Sequence, residues 1–439
     1  MRFLSLVVLL SIVVPLLARG DDDPELTSLI AEAVEQSPEI RAAREASDAA
    51  RQRVRPAEAL PDPMLSLGYE NDGAALSLGT EPMTRLQLMA QQAIPFPGKL
   101  KLSGKIADAQ AAESATRIAR ARLGVEAAVR RAWAALVSAR ESLTLTDEQI
   151  ATWKEIGEIT RSRYAAGMGN QQDVLRAQSE RTRLEQQRIR DEAAGEIAQV
   201  ELLRILLRPV DASVAATAST RRLQSGASFA LPERDAVLRE AVLREAEAKS
   251  PELQEARMVR ERAALEVALA KRAFSPDFVV QAGYGNRGGL PMMWSAGVGV
   301  TVPLWTGSKQ KPLLLDAEGR ERAAKAAEEA VRARLMARTT ERLVRLSQLS
   351  RETRLDTEGI LVQDRLTVDA ALASYTTGGV PFITVLEALS TLYVDRRAAI
   401  SRIADTLKTD ADLRELSLDA ASGPPMSPAA APFSSTAKM

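Results

Sequence analysis

The stretch Arg163 to Ser179, RYAAGMGNQQDVLRAQS, returns at Ser374 to Ser390 as SYTTGGVPFITVLEALS, with Tyr, Gly, Val, Leu, Ala and Ser identical at six of 17 positions. Four more echoes accompany it. Ser37-Pro38-Glu39-Ile40 recurs as Ser250-Pro251-Glu252-Leu253, and Pro61-Asp62 as Pro276-Asp277. Gly68-Tyr69-Glu70-Asn71 recurs as Gly283-Tyr284-Gly285-Asn286, and Ile94-Pro95-Phe96 as Val302-Pro303-Leu304. The offsets, 211 for the first pair and 213, 215, 215 and 208 for the others, are nearly constant. Small insertions account for the drift, so the chain is a tandem duplication of a unit slightly over 200 residues long.

Within each unit the expected order is helix, two strands, very long helix, turn, return helix. Glu25 to Ala59 reads as a helix ended by Leu60-Pro61-Asp62-Pro63. Lys101 to Tyr164 contains no proline and carries a heptad, with Ile118, Val125, Ala132 and Ala139 in one row and Val129, Leu136, Leu143 and Ile150 in the other. Those residues would reach about 95 Å as one helix. After Gly167-Met168-Gly169 the chain returns as a helix to Arg208, and the second copy repeats the order with Glu233 to Phe274, Leu313 to Tyr375 and Pro381 to Leu416. The last of these spaces Leu386, Tyr393, Ile400 and Leu407 by seven. A long helix beside two shorter ones is matched in length only if the short ones stack end to end. A dimeric coiled-coil rod would explain the helices but not the strands.

The strands alternate. Trp294, Ala296, Val298, Val300 and Val302 take turns with Ser295, Gly297, Gly299 and Thr301. Phe278, Val280, Ala282 and Tyr284 form a second apolar row, Leu65, Leu67 and Tyr69 a third, and Leu86, Leu88 and Ala90 a fourth. Each run is close to the ~9–11 residues that a tilted strand needs to cross a bilayer. A soluble half-buried sheet would alternate in the same way. An aromatic near a strand end in three of the four, with Asn, Gly and Asp in the loops, favours the membrane reading. Four strands cannot close a membrane barrel, since the smallest have about eight, so spanning strands require several copies of the chain.

Composition removes other possibilities. The 439 residues include no Cys and no His and only 4% aromatics. That excludes Cys/His zinc sites, His-based triads, Cys nucleophiles and disulfides. Lys plus Arg and Asp plus Glu are both 58, so no overall charge draws a nucleic acid. No acid or base is paired with a nucleophile, and Met292-Met293 lacks a neighbour that would make a soft-metal site. The reading is of a non-enzyme without a cofactor.

The expected organisation is a signal peptide over residues 1–20, a first repeat over 21–208, a linker over 209–232, a second repeat over 233–416 and a disordered tail over 417–439. The leader reading rests on Arg2, the apolar run Phe3 to Leu17 and the small residues of Ala18-Arg19-Gly20. A membrane anchor is the alternative, but ~20 residues are needed to span as a helix. The tail is rich in Pro, Ala and Ser.

The duplicated order of elements, together with Arg163-Tyr164-x-x-Gly167 before Asp173-Val174-Leu175-x-Ala177 and Tyr375-x-x-Gly378 before Val385-Leu386-x-Ala388, resembles the TolC-type outer-membrane efflux factor family. The resemblance covers residues 25–416. Leu60-Pro61-Asp62-Pro63 with Ile94-Pro95-Phe96-Pro97-Gly98-Lys99 is similar to the subgroup that works with heavy-metal pumps of the resistance-nodulation-division class. The resemblance implies a fold that is mainly α with a small β part. Long antiparallel α-helical hairpins form an α-barrel, and four transmembrane β-strands per protomer complete a trimeric β-barrel in the outer-membrane lipid. It also implies a periplasmic adaptor and an inner-membrane pump as partners, with metal ions or drugs as cargo. Arg163, Tyr164, Gly167 and Gly378 would form the tip where the adaptor docks. Asp173 and Tyr375 would form a lock through a phenol-to-carboxylate hydrogen bond. The constriction acids of the family fall on Thr384 and Glu387, so one acid ring rather than two is expected, with a plain surface glutamate as the alternative. Pro95 and Pro303 would mark the change from barrel to helix, because proline fixes φ and cannot donate to a ladder. A periplasmic adaptor or an envelope coiled coil remains the competing reading.

Overall fold

The computed structural model describes residues 24–74, 76, 78–79, 81–214 and 236–416. The expected leader, most of the linker and the expected tail lie outside these residues. The first copy comprises α1 (Pro24–Gln36), α2 (Pro38–Gln52), α3 (Val54–Glu58), β1 (Met64–Glu70), β2 (Arg85–Ile94), α4 (Lys99–Ala165) and α5 (Gln171–Leu206). The second comprises α6 (Ala236–Lys249), α7 (Pro251–Arg272), β3 (Asp277–Asn286), β4 (Met293–Thr301), α8 (Lys311–Leu355), α9 (Leu361–Thr376) and α10 (Phe382–Glu415). Single π turns occupy Thr306–Gln310, ahead of α8, and Asp356–Ile360, between α8 and α9. Among the described residues no helix is long and apolar enough to cross a membrane.

The repeated Ser-Pro motif breaks a helix in both copies, where the sequence predicts continuous helices over Glu25 to Ala59 and Glu233 to Phe274, the latter described from Ala236. Proline has no N–H to donate and suits the first position of a new helix. Ser37 supplies the cap: its Oγ accepts from the amide of Ile40 at 3.3 Å. The second long helix is likewise not continuous from Leu313 to Tyr375, being interrupted at Asp356–Ile360. Its first-copy counterpart α4 runs unbroken for 67 residues, about 100 Å.

The length match between long and short helices is met as expected. Leu26, Leu29 and Ala33 of α1 and Leu202, Leu203 and Leu206 of α5 pack together on Val125, Val129, Ala132, Trp133 and Leu136, midway along α4. The two short helices thus meet end to end beside the long one, and Arg208 clasps Glu32 across the joint with hydrogen bonds of 2.6 and 2.7 Å. In the second copy Val242 of α6 and Leu413 of α10 meet on Leu343 and Leu346 of α8. The predicted heptad holds through Leu136. Beyond it Thr146, Trp153 and Thr160 continue the first row as buried residues, while in the second row Leu143 and Ile150 are half-buried and Gln149 and Ile156 beside it are buried. On α10 the row Leu386, Tyr393, Ile400 and Leu407 flanks the buried seam, which runs through Val385, Leu389, Ala399 and Ile403.

The strands form one antiparallel sheet in the order β1-β2-β3-β4. Its two hairpins are internal copies at the level of register. Moving β1 by 215 positions and β2 by 208 carries the pair Leu67 opposite Leu88 onto Ala282 opposite Ala296, which is the register found. The central pairing, β2 with β3, joins one repeat to the other.

Buried ion pairs tie the helices together below the joint. Asp191 of α5 accepts from Arg397 of α10 at 3.0 and 3.1 Å, from Thr146 of α4 at 2.6 Å and from Gln187 at 2.9 Å. Burial pushes this carboxyl up, but the hydrogen bonds from Arg397, Thr146 and Gln187 outweigh it and hold it below the ordinary value. The opposite holds nearby. Burial raises Asp356 in the π turn, despite Arg402 at 2.6 Å, and burial with a hydrogen bond shared with Asp395 raises Asp364.

The signs differ accordingly. A depressed carboxyl stabilises above its unfolded value and loses the contribution as pH falls through its folded value, whereas a raised carboxyl loses its contribution as pH rises through its folded value. Asp364→Asn is therefore expected to raise the thermal midpoint at pH 7, with a gain that shrinks on acidification. Asp191→Asn should lower stability at pH 7 by about 2–3 kcal/mol, less than a fully buried pair because Arg397 is one-third exposed. Thermal unfolding of the purified protein across a pH series checks both.

Candidate functional site

Two regions collect the residues singled out in the sequence: the tip where each long helix turns back, and the sheet at the other end. At the tip α4 closes with a Schellman cap, in which the amide of Met168 bonds to the Arg163 carbonyl at 2.9 Å and that of Gly167 to the Tyr164 carbonyl at 3.0 Å. The second turn repeats it, with Gly379 to Ser374 at 2.8 Å and Gly378 to Tyr375 at 3.0 Å. Gly167 and Gly378 have φ of +72° and +84°, a region in which a Cβ is strained. The Tyr-x-x-Gly motif is thus a capping device, written once per repeat.

The two tyrosines of that motif have different surroundings. Tyr164 is 49% exposed and Tyr375 4%. Tyr375 packs against Phe382, ring centroids 5.5 Å apart, and Phe382 meets Trp153 edge-on at 6.4 Å. Arg163 covers the other side, its guanidinium carbon 4.6 Å from the Tyr375 ring centre. Its Nη1 donates to the carbonyls of Tyr375 and Thr376 at 2.7 and 2.9 Å, and its Nη2 to that of Met168 at 3.1 Å. A cation here satisfies carbonyls that the end of α9 leaves open and opposes its negative pole. Arg163 therefore faces inward and staples the second turn to the first. The sequence held a clue in the mismatch at this position, since its counterpart in the second copy is Ser374.

An open cavity of ≈ 440 Å³ lies between the turns, lined by Asp173, Arg176, Tyr375 and Phe382 among others. The expected hydrogen bond from Tyr375 to Asp173 is not made within the protomer, because the Tyr375 hydroxyl is buried without a hydrogen-bond partner. The ring is held by Phe382 and Arg163, while Asp173 stands in the first turn of α5. Burial first, and then the Asp173 charge, push the phenol above its ordinary value. Thr384 and Glu387 lie three residues apart on α10, the first half-buried and the second exposed. Removing the staple exposes the second cap: Arg163→Ala is expected to speed amide exchange at Thr377, Gly378 and Gly379 by one to two orders of magnitude, the equivalent of ~1.5–3 kcal/mol for charge-assisted bonds. Hydrogen-exchange mass spectrometry measures it, with Arg163→Lys recovering only part of the protection.

At the other end, Leu65, Leu67 and Tyr69, then Leu86, Leu88 and Ala90, then Phe278, Val280, Ala282 and Tyr284, then Trp294, Ala296, Val298 and Val300 share one face of the sheet. The four predicted rows thus fall together, except that β4 ends at Thr301, one residue before Val302. The face is bare in a single chain, with Leu67 70% and Trp294 80% exposed. Pro95 follows the last residue of β2 and Pro303 comes two residues after β4, both before the helices begin. The turn after Pro95 is anchored by Asp277, whose Oδ1 accepts from the Phe96 amide and from Lys99 Nζ, each at 2.7 Å. Lys99 also donates to the Ser275 carbonyl at 3.1 Å.

The outer membrane protein VceC of Vibrio cholerae superposes with a TM-score of 0.72 at 19% identity, over 89% of this chain and 96% of that one. The open-state outer membrane channel MtrE of Neisseria gonorrhoeae gives 0.73 at 19% identity, over 90% and 88%. Among curated proteins, Protein CyaE of Bordetella pertussis is 31% identical over 173 residues. That match spans 38% of this chain and 36% of the relative's length. The profile described as "Outer membrane efflux protein" matches residues 29–206 and 242–417, one segment in each copy. With both segments matched, the chain belongs to the outer membrane efflux protein family.

Proposed function

We propose that this chain is the outer-membrane exit duct of a tripartite efflux system, conducting passively what an inner-membrane pump and a periplasmic adaptor deliver. The observation that carries the reading is the sheet: four strands with one largely apolar face, broken only by Gln92 and Asn286 among the paired positions, set above helices about 100 Å long. Such a face belongs against lipid, and both sheet edges need partners. Three copies would close a barrel of twelve strands, antiparallel throughout, with the small polar positions Gly297, Gly299, Ser66 and Gly68 facing the lumen. The exposed apolar side chains Ile189, Ile197 and Val200 on α5 and Leu355, Val362 and Leu366 on α8 and α9 suit side-by-side contact between copies in a helical wall.

At the tip, the exposed Tyr164 and Met168 and the strained Gly167 and Gly378 form the docking surface for the adaptor. Asp173, Tyr375, Thr384 and Glu387 form the constriction. A ring of three Glu387 side chains would favour cations at the narrowest point. Cargo such as metal ions or drugs is selected upstream by the pump, since a wide water-filled tunnel discriminates little. The solved relative MtrE is itself an outer membrane channel. A periplasmic adaptor would have no use for the bare apolar sheet.

Fractionation with a heat-modifiability assay tests the reading: the protein should enter the outer membrane as a trimer that resists unheated detergent and conducts in planar bilayers. Val298→Arg should impair insertion, at ~2–4 kcal/mol per copy for a charge at the midplane of the lipid face. Glu387→Ala should weaken cation selectivity without loss of trimer. Unaltered assembly of Val298→Arg together with absence of conductance would overturn the proposal.

A further inference from the structure

The duplication supplies a template for a contact that one chain cannot make with itself. Within the protomer β2 of the first copy pairs with β3 of the second, Gln92 opposite Val280 and Ala90 opposite Ala282. The offsets of 208 and 215, which already carry one hairpin register onto the other, send β2 to β4 and β3 to β1. Applied to the central pairing, they set Val300 opposite Leu65, Gly299 opposite Ser66, Val298 opposite Leu67 and Gly297 opposite Gly68. β1 and β4 are the two edges of the sheet, so these partners must come from different copies.

Two independent features agree with this register. The first is parity. A one-residue slip would turn every side chain to the wrong face, yet the four derived pairs set apolar against apolar and small or polar against small or polar. The second is charge. The central pairing is anchored at its base by Asp277, which takes the Lys99 ammonium and the Phe96 amide. Pro276-Asp277 corresponds to Pro61-Asp62, Phe96 to Leu304, and Gly98-Lys99 to Gly307-Ser308-Lys309, with the added residues accommodated in the π turn Thr306–Gln310. Asp62 and Lys309 are both exposed, and among the described residues neither has an ion-pair partner within the chain.

We propose that β4 of one copy pairs with β1 of the next in this register, and that Lys309 and the Leu304 amide of the first hold Asp62 of the second, repeating between chains the anchor that Lys99 and Phe96 make with Asp277 within one. The inference rests on the closed-barrel reading and specifies the interface on which closure depends. Each junction between copies is then quasi-equivalent to the middle of the sheet, and the barrel has no weak seam.

The absence of native cysteine makes the test direct. Directly opposed residues of an antiparallel pair lie about 4.5–5.5 Å apart, within disulfide reach, whereas diagonal neighbours at ~7–8 Å do not. A Cβ at Gly299 meets nothing closer than Val279 at 3.8 Å, so cysteine fits there. Ser66→Cys with Gly299→Cys, oxidised in outer-membrane fractions, should give boiled-gel dimers and trimers that thiol reverses, at least tenfold more than Ser66→Cys with Gly297→Cys. The reverse ranking overturns the register, and no cross-link in either variant while unheated trimers persist overturns the edge pairing. Both of those outcomes leave the duct reading standing, whereas loss of trimers in the unmodified protein removes the duct and this inference together. For the ion pair, Asp62→Lys and Lys309→Asp should each lower the temperature at which trimers dissociate, and the double exchange should restore most of the loss. Losses that simply add in the double variant overturn the pair.

Discussion

Everything else in the molecule depends on the backbone pairing of β2 with β3. Those hydrogen bonds run from Leu86 to Ile94 on one strand and from Phe278 to Asn286 on the other, and they hold two copies of one ancestral unit side by side in the same sense. Once they form, both long helices leave the sheet from the same end, and the Lys99–Asp277 contact fixes the point of departure. Both long helices therefore run in the same direction, with α7 and α10 packed against each of them. That is why Arg163 of the first copy can reach the carbonyls of Tyr375 and Thr376 in the second, far along the chain and at the opposite end of the helices.

Much of this organisation can be read from residues alone because it is periodic. The alternation in β4 and its three companions fixes which side chains share a face, and the sheet bears it out position by position. Glycine at Gly167 and Gly378 announces a backbone conformation, and the structure has it there. What escapes such reading is of two kinds. Local breaks escape when they change no period: Ser37-Pro38 and Ser250-Pro251 are visible as repeats, but a proline is equally at home at a helix start or after a helix end. Side-chain direction at a tip escapes because it is decided by a partner hundreds of residues away. Arg163 beside an exposed turn reads as surface, and only the fold shows three carbonyls and a ring converging on it.

Duplication followed by divergence explains where the copies differ. The Schellman caps and the hairpin registers are retained in both. Between the tips, however, equivalence is broken: one tyrosine is buried and the other exposed, and one turn gives an arginine that the other receives. The buried Asp191–Arg397 pair likewise joins α5 of the first copy to α10 of the second. Side chains that join the copies have specialised, while those that shape each copy have stayed alike.

The π turn at Asp356–Ile360 has a further consequence for the second long helix. A π turn holds roughly one residue more than an α turn, so it rotates every following side chain by about 100° relative to an uninterrupted helix. Above it the buried stripe passes through Leu335, Leu343, Leu346 and Leu349, and below it through Ala371 and Tyr375. The stripe is thus phase-slipped, and one chain segment addresses two sets of neighbours in turn: α7 and α10 above, and α10 with the aromatic cluster below. The first long helix has no such slip. Of two homologous columns one is a straight strut and the other a strut with an internal twist joint, so an identical load at the tip would deflect them unequally.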